Sequence, residues 1–165
     1  MPEKQTIEHA RQNARAGKSP STQAGEFVRE EVHHVRRGKH GARSTKQAIA
    51  IGLSKARRAG VKLRAPRQGK ASARTRAQAA RDLQRGRTHG RRRSSTRRSR
   101  AILGALRREP RTAASRTSLA RQARGAAKAR GRAARHRSAL KAVGTKGRRG
   151  RVQAARKAAR TRAGA

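Results

Sequence analysis

Two Glu-x-x-His pairs overlap in the run Glu30-Glu-Val-His-His34, Glu30 with His33 and Glu31 with His34. On a helix that spacing sets a carboxylate and an imidazole on one face, as in the carboxylate di-metal sites of helical bundles. Such sites draw more acidic ligands from neighbouring helices, and the whole chain holds only 7 Asp and Glu. Charge pairing on a helix surface is therefore the expected role, and no metal site or cofactor is assigned. Glu31 falls on the face shared by Phe27, Val28 and Val35, where it would either partner an Arg of another helix or another subunit or snorkel to solvent. These Glu and His side chains are also the best acid–base candidates, but no second carboxylate pair or nucleophile is spaced to assist them. The chain is accordingly not expected to be an enzyme, and no catalytic residue is assigned. Gly17-Lys-Ser19 has the ending of a P-loop, yet Gln12 stands where the first glycine belongs and no apolar strand precedes it. Ser94, Ser95 and Ser99 lie among arginines, where phosphorylation would lower the charge.

The chemistry the sequence does supply in quantity is phosphate recognition. Of 165 residues 48 are Lys or Arg, the formal net charge is +41, and Arg outnumbers Lys by 37 to 11. A polycation of this density repels itself, and a polyanion partner removes that repulsion while releasing condensed counterions. Nucleic acid is the expected partner. Arginine forks fit phosphates and narrow minor grooves without reading bases, so binding should be nearly independent of sequence. Single-strand recognition adds aromatic platforms for base stacking, and the chain has one aromatic residue, Phe27. Duplex DNA is thus favoured over RNA. The densest runs are Arg91, Arg92 and Arg93, then Arg97, Arg98 and Arg100, then Arg148, Arg149 and Arg151. Candidate contacts further along are Arg156, Lys157, Arg160 and Arg162, and those nearer the start are Arg43, Lys46, Lys55, Arg57, Arg58 and Lys62.

Charge and apolar residues divide the chain that must position these groups. Residues 1–64 hold 15 basic and 5 acidic side chains, and residues 65–165 hold 33 and 2. Ten of the eighteen Leu, Ile, Val and Phe lie before residue 64. The expected fold class is all-α: a small helical head over 1–63, a linker over 64–72, and a basic low-complexity tail over 73–165. Ser19-Pro20 is a helix start and Gly38 a stop, with Ala24, Phe27, Val28, Val32 and Val35 on one face between them. Ser44-Thr-Lys-Gln47 fits a capping box opening a second helix that ends at Gly60. Its face of Ala48, Ile49, Gly52, Leu53, Ala56 and Ala59 is small enough for close helix approach. Two main helices are thus expected in the head, and a weaker segment from about 6 to 16, with only Ile7, Ala10 and Ala14 on a face, is either a loosely docked third helix or none. The six residues 38–43 exceed the turn of a DNA-binding helix-turn-helix. In the tail, Ala and Arg favour helix but close positive charges oppose it, so it is expected to be largely disordered or conditionally helical, with segments near 73–85, 100–108, 116–142 and 151–163. Ten larger apolar residues scarcely fill a core, and self-association through the head is expected to cover the remainder. Zero Cys excludes thiol chemistry and cysteine zinc sites, and no apolar run is long enough to span a membrane. The start carries no signal-peptide pattern, which implies a protein that stays where it is made.

Lys18-Ser-Pro-Ser-Thr-Gln-Ala-Gly-Glu-Phe-Val-Arg-Glu-Glu31 and Gly38-Lys-His-Gly-Ala-Arg-Ser-Thr-Lys-Gln-Ala-Ile-Ala-Ile-Gly-Leu-Ser-Lys-Ala-Arg-Arg-Ala-Gly60 are similar to a family of small, highly basic bacterial proteins of unknown function, commonly labelled DNA-binding or plasmid-stabilisation proteins. The tail, including Ala154-Ala-Arg-Lys-Ala-Ala-Arg-Thr-Arg162, resembles those proteins and the tails of linker-histone-like bacterial proteins. The resemblance implies a cytoplasmic, nucleoid-associated setting in bacteria. The expected function is that of a histone-like protein that neutralises and compacts duplex DNA without sequence preference. An RNA- or ribosome-associated basic protein and a plasmid-maintenance factor are the alternatives.

Overall fold

The N-terminal helices are set by local chemistry. In the computed structural model, which describes residues 2–88 and 95–163, α1 spans Lys4–Arg15, α2 Pro20–Arg36 and α3 Thr45–Arg58. The Ser19 hydroxyl accepts the Thr22 N–H and Pro20 occupies the first turn, so α2 starts where its sequence signal lies. It ends in a Schellman turn: the Gly38 N–H donates to Val35 O and the Lys39 N–H to His34 O. Gly38 has φ +74, a conformation that costs a side-chain-bearing residue about 1 kcal/mol or more. Ser44 caps α3 through the Gln47 N–H, and Gln47 Oε1 accepts the Arg43 N–H rather than that of Ser44, a capping box displaced by one residue.

Four further elements follow: α4 at Ala73–Arg87, α5 at Thr96–Arg108, a 3₁₀ turn at Arg111–Ala114, and α6 at Arg116–Ala163. Two expectations are corrected here. The head has more than two helices, because the weak segment near 6–16 is the formed helix α1, docked on α2 through Ile7 and Ala10. The tail is not disordered: it is helical from Arg116 to Ala163, with non-helical backbone only at Gly131 and Gly147. Like-charge pairs on an exposed helix cost only about 0.2–0.5 kcal/mol each and are screened by salt, so the strong helix propensity of Ala and Arg outweighs them. All described regular structure is helical.

The chain forms two compact units, Met1–Ala120 and Arg121–Ala165. In the first, α2 packs against α1 and α3, α4 lies on α3, and the 3₁₀ turn sits on α2 and α3. One apolar cluster joins Ala10, Ala24, Phe27, Ala56 and Val61, flanked by Ile7, Leu53 and Leu63. The other joins Val32, Val35, Ala42, Ala48, Ala113 and Ala114, flanked by Leu119. Most members are alanines, so the core is closed by short distances between backbones. Gly52 shows this, since a Cβ there would lie 2.7 Å from Val28 Cα. Apolar faces of α2 and α3 left uncovered within residues 1–63 are covered by Ala113, Ala114 and Leu119 of the same chain. Arg36 Nε donates to Ala114 O at 2.8 Å and Thr45 Oγ1 to Ala113 O at 2.6 Å, which fixes the 3₁₀ turn in place.

Asp82 attaches α4. It is 2% exposed and accepts hydrogen bonds from Ser54 Oγ at 2.6 Å and Gln78 Nε2 at 3.1 Å. Replacing Asp82 with Ala removes a charged acceptor and leaves the Ser54 hydroxyl without its partner, and is expected to lower unfolding stability by about 2 kcal/mol. Chemical denaturation of the D82A protein at neutral pH measures the loss.

Candidate nucleic-acid interface

The second unit carries cations and no acidic side chain. Residues 121–165 contain 16 Lys and Arg and no Asp or Glu, and α6 has no buried residue. At 100° per residue, Arg148, Arg149, Arg151, Arg156, Lys157, Arg160 and Arg162 are distributed around the helix, and all seven are exposed. A duplex approaching from any side therefore meets several of them. On α5, Arg97, Arg98 and Arg100 are exposed as well. Arg91, Arg92 and Arg93 lie outside the described residues.

The first unit divides its candidates. Arg43 and Lys46 flank the start of α3 and are exposed, as is Lys62 after its end. Arg58 is exposed, and its Nε lies 3.8 Å from Asp82 Oδ1. Lys55 and Arg57 turn towards carboxylates and carbonyls of the first unit, Lys55 half-buried and Arg57 buried. Lys55 Nζ lies 2.6 Å from Glu31 Oε2 and 3.6 Å from Glu30 Oε1. Arg57 is 7% exposed, and its Nε and Nη2 donate to the carbonyls of Leu63 and Arg64. Burial pushes its guanidinium below the ordinary range, while the Asp82 carboxylate works against that shift. The helical period placed both off the α2-facing stripe, but it gave no sign that Asp82 of α4 and the carbonyls after α3 would surround Arg57.

The Glu-rich run has its own surroundings. Glu30 and Glu31 are 6% and 0% exposed, and the inter-helix cation expected for Glu31 is Lys55, a lysine rather than an arginine. His40, which the sequence reading passed over, reaches Glu31 Oε1 with Nε2 at 3.1 Å. It gets there because the turn at Gly38 reverses the chain against α2. His34 Nε2 lies 2.9 Å from Glu3 Oε1 and 3.8 Å from Glu30 Oε1. Glu3 also accepts from Lys39 Nζ at 2.8 Å, and the hydrogen bonds from Lys39 and then His34 hold its carboxyl down at about 2. This cluster fastens the start of α1 and the residues after α2 to each other.

These features define an all-helical polycation: a small alanine-cored unit followed by a coreless basic helical one. No helix among the described residues is long and apolar enough to cross a membrane. A protein family described as a family of unknown function (DUF6496) matches residues 14–68, the stretch that contains α2, the Gly38 turn and α3. Neither the curated proteins nor the solved structures contain a match.

Proposed function

We propose that this protein binds duplex DNA without sequence preference and acts as a histone-like architectural protein. One observation carries the reading: a helical unit with 16 basic side chains, no acidic one and no buried residue. Such a unit has no core to build, and it holds no acidic side chain of its own to balance its charge. A duplex supplies that balance in its phosphates, at one charge per about 1.7 Å of axis, and the counterions released on contact favour the complex. The first unit adds exposed Arg43, Lys46, Arg58 and Lys62 and gives the cationic helices a folded attachment. Recognition of base edges is not needed, since the candidate contacts are Arg and Lys distributed around the last part of α6, with the arginines of α5 on one face of that helix. The setting in this reading is the bacterial nucleoid. Crosslinking the protein to nucleic acid in its own cells and sequencing what is recovered tests the partner. DNA reads spread evenly over the genome support the proposal, and recovery confined to ribosomal or other RNA contradicts it.

A further inference from the structure

Three of the seven carboxylates of this +41 chain, Glu3, Glu30 and Glu31, converge on His34 and His40 where α2 gives way to the Gly38 turn. Glu3 is matched by Lys39 at 2.8 Å. Glu30 and Glu31 share one fixed cation, Lys55, so the cluster holds one more buried negative charge than its lysine offsets. Neither oxygen of Glu31 accepts a hydrogen bond although the residue is 0% exposed, and Glu30 Oε1 accepts none either. The Lys55 and His40 nitrogens stand within ion-pair reach of Glu31 but off the hydrogen-bonding directions. Lys55 Nζ, at 2.6 Å, offsets Glu31 Oε2, so the oxygens that still lack a close fixed cation are Glu31 Oε1, beside His40, and Glu30 Oε1, and such buried oxygens are normally paired with a cation or a metal.

We infer that Glu31, His34 and His40 bind one divalent transition-metal ion of the zinc type, with Glu30 Oε1 closing the coordination. Ligand atoms from the first three residues all lie within 4.8 Å of one another. Glu31 Oε1 and His40 Nε2 are 3.1 Å apart, near the edge of about 3.3 Å for a tetrahedron with metal–ligand bonds of about 2.0–2.1 Å. Lys55 occupies the other Glu31 oxygen, which makes that carboxylate a one-oxygen ligand. Two imidazoles with carboxylates select zinc, cobalt or nickel over magnesium and calcium, which take oxygen sets. The His34 and His40 side chains are 12% and 10% exposed, so an ion enters from solvent. The ion replaces the His34–Glu3 contact and fixes residues 38–43 to α2. Gly41 and Ala42 donate to Leu106 O and Pro110 O, so the same ion steadies the end of α5 against the turn that follows α2, within the first unit.

Untagged, DNA-free full-length protein loaded with Zn²⁺ and dialysed should retain one ion per chain. Its thermal midpoint should rise with Zn²⁺ and fall back on chelation, with no rise in Mg²⁺. Co²⁺ should give the intense visible bands of a tetrahedral nitrogen and oxygen site. His40→Ala should weaken Zn²⁺ binding at least tenfold, whereas His33→Ala, a change of an exposed imidazole on α2, should leave it unchanged. Equal losses in the two variants, or equal retention, would identify only casual imidazole binding and overturn the inference. Should H40A fail to fold, the wild-type cobalt spectrum decides: octahedral bands, or no bound cobalt, reject the site.

Discussion

Replacing Arg148, Arg149, Arg151, Arg156, Lys157, Arg160 and Arg162 together with Gln is expected to lower affinity for a random duplex by about 10²–10³ at near-physiological salt. The seven surround the helix, so roughly half face one duplex at a time. Each lost phosphate contact removes about 0.9 from the slope of log K against log[salt], and extrapolation to about 0.15 M gives two to three decades for three or four contacts. Gln keeps most of the helix propensity of Arg, so the change removes charge with little effect on the helix. Fluorescence anisotropy with a labelled duplex measures the loss, and far-UV circular dichroism confirms that helix content is retained. An affinity within a factor of three of the parent would show that this helix does not carry the binding.

The largest expected effect on stability lies at the contact between α3 and α4. Gly86 faces the carbonyl oxygen of Arg57 so closely that a Cβ would overlap it, and that oxygen is backbone, which cannot swing aside. Gly86→Ala gains about 1 kcal/mol of helix propensity, but parting the two helices costs the burial of Ala79 and the hydrogen bonds of Asp82. The net expectation is a loss of about 2–3 kcal/mol. Gly25 on α2 is the control, since nothing lies within 4 Å of a Cβ there. Gly25→Ala should therefore stabilise by about 0.5–1 kcal/mol. Denaturant titration of both proteins reads the two opposite signs, and a stabilised G86A protein would show that α4 does not pack closely on α3.

What could be read beforehand was local. Ser19, Pro20, Gly38, Ser44 and Gln47 announce their helix ends because each acts on backbone groups three or four residues away, and the apolar spacing of α2 and α3 follows from the helical period. The role of Ala113 and Ala114 was not legible. An alanine carries the same side chain in a buried 3₁₀ turn as in an exposed tail, and only the carbonyl contacts to Arg36 and Thr45 distinguish them. Repulsion between neighbouring arginines points to a disordered tail, but in α6 the helix propensity of Ala and Arg outweighs it. In the site, exposed arginines of α6 were legible as charge, whereas the inward turn of Lys55 and Arg57 depended on Glu31 and Asp82 of other helices. His40 joined the Glu31 cluster only through the geometry of the Gly38 turn, which the sequence marks as a stop without giving its direction.

Sequence-independent binding through phosphates is tested most directly by the salt dependence of affinity for two unrelated duplexes of equal length. With about ten phosphates neutralised, log K should fall against log[salt] with a slope near −9, the same for both duplexes, and the two affinities should agree within a few-fold at every salt concentration. A slope shallower than about −3, or a hundredfold preference for one duplex, would contradict the account.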